Sequence, residues 1–208
     1  MCSSDLYYPR GGDCVVTLNT ERLLRAHGVE VAVYAMQYPC NVESQFSSYF
    51  ASQVSFSGSL GAKFKALGRV LGLGDVKRSF AHMLDDFKPD VVHLHNIHSY
   101  LSPVLAKIAH ERGIKVVWTL HDYKLLCPAY TCLRAGKPCE QCLGQSKHPV
   151  IEHRCMKGSL AASAIAWLEA KRWCRSVLEQ NTDAFICPSQ FMASKMAQGG
   201  FEQSKLQV

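Results

Sequence analysis

The residues best suited to chemistry fall in three places along the chain. Cys127, Cys132, Cys139, Cys142 and Cys155, with His148 and His153 between them, occupy one stretch. Cys139-Glu140-Gln141-Cys142 is a C-x-x-C knuckle, a spacing that lets two thiolates meet one tetrahedral zinc; Cys127 and Cys155 could complete the four ligands of a closed, structural site. Reduced thiols packed in a loop, or a redox pair, fit the same residues, and Cys132 competes with Cys127 as a ligand. The second place is the end of two apolar runs. His93, His95, Asn96 and His98 follow or close the first, where ring nitrogens and an amide can hydrogen-bond a hydroxylated ligand; His93, alternating with Leu94, also fits a core histidine with a backbone partner. His121-Asp122 follows the second run, and its imidazole can bond a sugar or a leaving phosphate, or be a loop histidine tethered by Asp122. The third place is Pro9-Arg10-Gly11-Gly12. Glycines before a helix let backbone N–H groups approach an anion such as diphosphate at the positive helix end, with Arg10 as a further contact; an ordinary strand-to-helix turn explains a bare Gly-Gly as well. Ser189, after Cys187-Pro188, is foremost a helix N-cap and secondarily a ligand contact.

The elements that must position these groups alternate between β and helical type, which is the pattern of an α/β, Rossmann-like three-layer fold with a mostly parallel sheet. Helices are predicted over Asp13–His27, with Asp13 as N-cap and Val15, Val16, Leu18, Leu23 and Leu24 on its apolar spacings, and over Val76–Phe87, Ser102–Arg112, Ser159–Gln180 and from Ser189 to Gln198. Strands are predicted over Val29–Met36, Asp90–His95, Ile114–Leu120 and Asp183–Cys187, with a further one beginning at Lys205. Ligands of such sheets bind beyond the carboxyl ends of the strands, where the histidines and the glycine turn fall. Cys40–Leu73, rich in Ser, Gly and aromatics, reads as a long excursion with one basic helix around Lys63–Val70, and 121–156 as a Cys-rich loop insertion. MCSSDLYY holds no apolar run long enough for the strand that should precede the glycine turn, so the first strand is expected to be missing. MCSSDL also resembles a translated sequencing adapter, so residues 1–6 are expected to be foreign. The end at KLQV is expected to interrupt the chain before a second domain.

Composition narrows the class. With 208 residues, 48% hydrophobic and 19% charged, the chain suits one globular domain and excludes a disordered, collagenous or coiled-coil protein. The longest nearly uncharged apolar stretch, Leu160–Leu168, is far below the roughly 20 residues of a membrane span. The start has no secretory pattern, which predicts a cytoplasmic protein. The net charge of +6 suits phosphates, anionic lipid or nucleic acid, but dispersed basic residues argue against nucleic acid. Lys171, Arg172 and Arg175 near Trp173 would give the long helix a basic face able to touch the inner face of an anionic membrane, or simply a solvated one.

YYPRGGD, KPDVVHLHN, VVWTLHDYKLLCP and a Cys-rich loop followed by DAFICPSQFM together resemble the amino-terminal domain of family 4 glycosyltransferases of GT-B fold, from about Tyr7 to Val208. The resemblance implies one of two Rossmann-like halves, the acceptor-side one, with a donor-binding carboxy-terminal domain absent. It implies retaining transfer of a sugar from a nucleotide diphosphate sugar to a carbohydrate or lipid-linked acceptor, in polysaccharide or glycolipid assembly, with no obligatory catalytic metal. By the same resemblance Gly11 and Gly12 face the donor diphosphate, His121 lines the cleft near the transferred sugar, and His95-Asn96 form the neighbouring loop. The donor half carries the groups that stabilise the leaving diphosphate, so these 208 residues alone are expected to be inactive. Two readings of other classes compete: a zinc-containing basic binding module, and a stand-alone nucleotide-binding domain.

Overall fold

The β-branched runs become short strands that pair in parallel, and the amphipathic segments between them become the connecting helices. The computed structural model describes every residue except 145 and divides into two units, Met1–Thr119 and Leu120–Val208. In the first unit the elements are β1 (Cys2–Ser3), α1 (Gly12–Ala26), β2 (Val33–Tyr34), α2 (Leu60–Val70), α3 (Asp75–Phe87), β3 (Val91–Leu94), α4 (Val104–His110) and β4 (Lys115–Thr119). The strand order is β2-β1-β3-β4, every pair parallel, with Cys2 opposite both Val33 and His93. The chain steps out from β1 to β2 and then returns past β1 to β3. Connections therefore diverge at the carboxyl ends of β1 and β3, the switch point where Rossmann-like α/β sheets open a crevice.

Helix α3 shows why these segments fold as they do. Val76, Phe80, Met83 and Leu84 recur at helical spacing and are buried. Asp75 sits in the first turn, favourable for the helix dipole, and Lys88 ends the helix in a left-handed conformation at φ 49°. Trp118, Tyr34, Phe80, Leu94 and Leu105 are among the fully buried side chains of this unit. The excursion over 40–73 is stitched to them by Arg69, only 1% exposed, which donates to Tyr100 O at 2.8 Å and Ser52 O at 3.2 Å and pairs with Asp75 at 2.5 Å. Its helix α2 starts at Ser59, whose Oγ accepts from Ala62 N, somewhat earlier than the expected Lys63.

Three expectations are corrected here. The first strand is present: Cys2 N donates to Ala32 O at 2.9 Å, while His93 N and His95 N donate to Met1 O at 2.7 Å and Ser3 O at 2.9 Å. It escaped notice because two small residues suffice when backbone pairing on both sides does the work. Asp13 is not the cap of α1; Gly11 is, and Asp13 lies in the first turn. The buried face of α1 is Cys14, Thr17, Leu18 and Glu21, whereas Val15, Val16 and Leu23 are exposed. Glu21 can be buried because it accepts from Tyr7 OH at 2.8 Å and from Arg25 Nε at 3.0 Å.

The second unit contains β5 (Leu133–Arg134), β6 (Lys137–Pro138), α5 (Pro149–Glu152), α6 (Leu160–Arg172), α7 (Arg175–Gln180), β7 (Ala184–Ile186), α8 (Gln190–Gln198) and β8 (Leu206–Gln207). β7 and β8 pair in parallel, and Leu120 N donates to Ile186 O at 2.9 Å. β5 and β6 form a hairpin whose two loop residues, Ala135 and Gly136, both have positive φ, as the strand twist of a two-residue turn requires. The single helix expected over 159–180 is two helices, because Trp173 leaves helical geometry at φ −108° and ψ 57° to enter the core. Its basic residues are engaged: Arg172 stacks on Trp173 at 4.2 Å, Lys171 lies over Trp167 and Arg175 pairs with Glu179 at 3.2 Å. No helix of the described residues has the length and apolarity to cross a membrane.

Candidate functional site

In the first unit the switch point brings the glycine turn and the Asn96 loop together. Asp5 N donates to Asn96 O at 2.9 Å, and Asn96 Nδ2 donates to Asp13 Oδ2 at 3.0 Å. The two glycines differ. A Cβ on Gly11 would come within 3.0 Å of the Asp13 carboxylate, and the N–H groups of Gly11 and Arg10 lie against the buried Cys14 thiol, so Gly11 faces protein atoms. Gly12 is exposed, its Cβ would meet open space, and no positive φ requires a glycine there. Of the pair, Gly12 is the one on which a ligand could rest. Arg10 is exposed and acts electrostatically on Asp5. Asp5, 7% exposed, is pushed up to about 7, chiefly by burial and next by the charge of Asp13. Nothing in MCSSDL announced a buried carboxyl, since its burial comes from β1 and its neighbours.

The histidines separate likewise. His95 is 1% exposed, with its ring 4.2 Å from that of His93, whereas Asn96 is half-buried; Asn96 is therefore the member of the pair that a ligand reaches. His93 Nε2 lies 2.7 Å from Thr119 Oγ1, as a satisfied core histidine would, and His98 stacks on Trp118, whose Nε1 donates to His95 O. Cys2 Sγ and ring nitrogens of His93 and His95 lie within 4.8 Å of one another. Burial raises the Cys2 thiol above its ordinary range. A groove of about 520 Å³ lies beside Tyr38, Asn41, Glu43 and Gln45. Tyr38 packs edge-on against Tyr8, two residues before Arg10. Asn41 Oδ1 is buried without a hydrogen bond among the described residues.

In the second unit His121 and Asp122 are half-buried at its start. Asp122 Oδ1 accepts from Lys124 N at 2.8 Å, an Asx turn that shapes the loop. Lys124, a residue the sequence did not single out, forms a buried ion pair with Glu169 at 3.0 Å and donates to Pro128 O at 2.9 Å. The hint in the sequence was a lysine directly before the apolar Leu125-Leu126. Ser189 Oγ accepts from Met192 N at 3.2 Å, so its hydroxyl is occupied as the N-cap of α8.

The loop thiols of this unit are all reduced and influence one another. Cys127 is held down to about 6, first by a hydrogen bond from the Cys132 thiol, which is itself pushed well up by donating it. Cys142 is raised to about 11, mainly by burial and then by Cys127. His148 and His153 are committed elsewhere, to Glu152 at 2.8 Å and Gln141 at 2.9 Å.

Compared with known protein families, residues 10–208 match the family described as Glycosyltransferase Family 4. Comparison with curated proteins gives no match.

Proposed function

The chain belongs to glycosyltransferase family 4, and from that premise we propose that it is the acceptor-side half of an enzyme that moves a hexosyl group from a nucleotide diphosphate sugar to a polysaccharide or glycolipid acceptor, with retention of configuration. The observation that carries this reading is Gly12. A glycine that neither sterics nor backbone angles demand, exposed in the first turn of α1 and beside Asn96, is what close approach of a diphosphate would require. Arg10 adds a positive charge on the same turn. The polar groove with the unsatisfied Asn41 oxygen suits an acceptor hydroxyl. His121 hydrogen-bonds the transferred sugar in this proposal. Catalysis of this kind rests on preorganised stabilisation of the leaving diphosphate, with no obligatory metal, and the principal groups for it belong to a donor-binding domain. The work is done at the cytoplasmic face of a membrane if the acceptor is lipid-linked.

The test is an assay of the gene's full product against a panel of nucleotide diphosphate sugars and lipid-linked or polysaccharide acceptors, with and without Gly12→Ala. Transfer by the unmodified enzyme is expected, with at least a tenfold loss in Gly12→Ala at an unchanged melting temperature, since the added methyl meets no protein atom. Absence of transfer from every donor, or full activity in Gly12→Ala, overturns the reading. The 208 residues by themselves should show negligible transfer.

A further inference from the structure

The loop of the second unit is more contorted than its packing explains. Of the eight non-glycine residues with positive φ among the described residues, five lie in it: Tyr130, Cys132, Ala135, Arg154 and Lys157. Each such residue costs roughly 1 kcal/mol or more. Among the described residues between 129 and 158 the buried apolar ones are Ala129, Cys142 and Val150. Some other link has to hold this conformation.

The loop's own bonds gather its cysteines. The β5–β6 pairing continues outward to a hydrogen bond from Cys139 N to Cys132 O at 2.8 Å, which sets those two residues across the open end of the hairpin. Lys147 Nζ donates both to Leu126 O at 2.8 Å and to Cys142 O at 2.5 Å, drawing the Cys127 segment to the C-x-x-C knuckle. The Gln141–His153 bond ties the same knuckle to the turn that precedes Cys155. We infer that Cys139 and Cys142 of the knuckle, with Cys127 and Cys155 brought towards them by the Lys147 and Gln141 bonds, hold one structural zinc ion.

The five thiols, Cys132 included, lie close enough to act on one another electrostatically, and the hydrogen bonds that bring the Cys127 and Cys155 segments to the knuckle are what single out the four ligands. Four thiolates packed together repel one another unless a cation sits among them; Zn²⁺ takes four sulfurs at about 2.3 Å in a closed tetrahedral shell with no open position for catalysis. On binding, the ligand thiols that still carry protons release them to solvent and one Zn²⁺ enters, leaving four thiolates around it and a site of charge −2. Lys124, Lys147 and Arg134 lie close enough to act on Cys127, Cys142 and Cys155 and offset that charge. Among the described residues no three of the loop thiols stand within 4.8 Å of one another, so the ion draws them in by side-chain rotation about anchored backbone positions.

The 208-residue chain, purified without chelator, should contain one zinc by elemental analysis. Cys139→Ser and Cys142→Ser should lose at least nine-tenths of it, and Cys132→Ser should retain it. To separate loss of metal from loss of the loop's fold, the unmodified chain is also stripped and titrated with Co²⁺, which should give the visible bands of tetrahedral cobalt thiolate at one equivalent. Iron in place of zinc, no stoichiometric metal together with no cobalt thiolate bands, or loss of metal in Cys132→Ser with retention in Cys155→Ser each overturns the assignment. None of these readouts depends on sugar transfer.

Discussion

Ser3 and Ser4 are fully buried in and just after β1, and neither hydroxyl has a hydrogen-bond partner among the described residues. A strand flanked on both sides by parallel neighbours is normally covered on both faces and filled by Val or Ile. A buried hydroxyl left unsatisfied costs about 1–3 kcal/mol, while exchanging it for hydrogen empties little volume. Ser3→Ala with Ser4→Ala should therefore stabilise the first unit by about 2 kcal/mol or more, allowing for the non-additivity of neighbours. With a urea dependence of about 2 kcal/mol per molar, the unfolding midpoint should rise by about 1 M. The assay is urea unfolding followed by the fluorescence of Trp118, which is fully buried in β4 of the same sheet. A midpoint that stays where it is, or falls, would mean that these hydroxyls are satisfied, and the reasoning about polar burial in β1 would fail.

Asp5 adds a pH dependence of definite sign. Its carboxyl is raised from 3.8 to about 7, so below about pH 4 both folded and unfolded chains carry the proton. As pH rises towards 7 only the unfolded chain ionises, and stability falls, by about 4 kcal/mol across that window, before levelling off; urea midpoints from pH 4 to 8 should show the slope in the unmodified chain and lose it in Asp5→Asn. In the second unit, Lys124→Met leaves the Glu169 carboxylate without its lysine at a site where both side chains are at most 10% exposed. Breaking such a pair from one side costs about 3–5 kcal/mol, and Lys124→Met with Glu169→Leu should recover most of it in a double-mutant cycle; a double variant as unstable as the single one would show that the pair is not the source of the loss.

Order and type of residue were enough to read the alternation of strands and helices, the span of α3 and the capping role of Ser189, because each depends on neighbours within a few positions. The same reasoning put Gly11 and Gly12 before a helix and Asn96 after a strand. That Asn96 would reach Asp13, and that only Gly12 would stand clear of its surroundings, depended on β1 pairing between β2 and β3, a long-range event. Counting apolar residues also misjudged the face of α1, where Val15 is left in solvent. Glu21 in α1 and Glu169 in α6 are buried because Tyr7 and Lys124 supply partners from distant parts of their units. Periodicity records what a residue prefers alone, whereas burial of a polar group is decided by the partner that tertiary structure delivers to it.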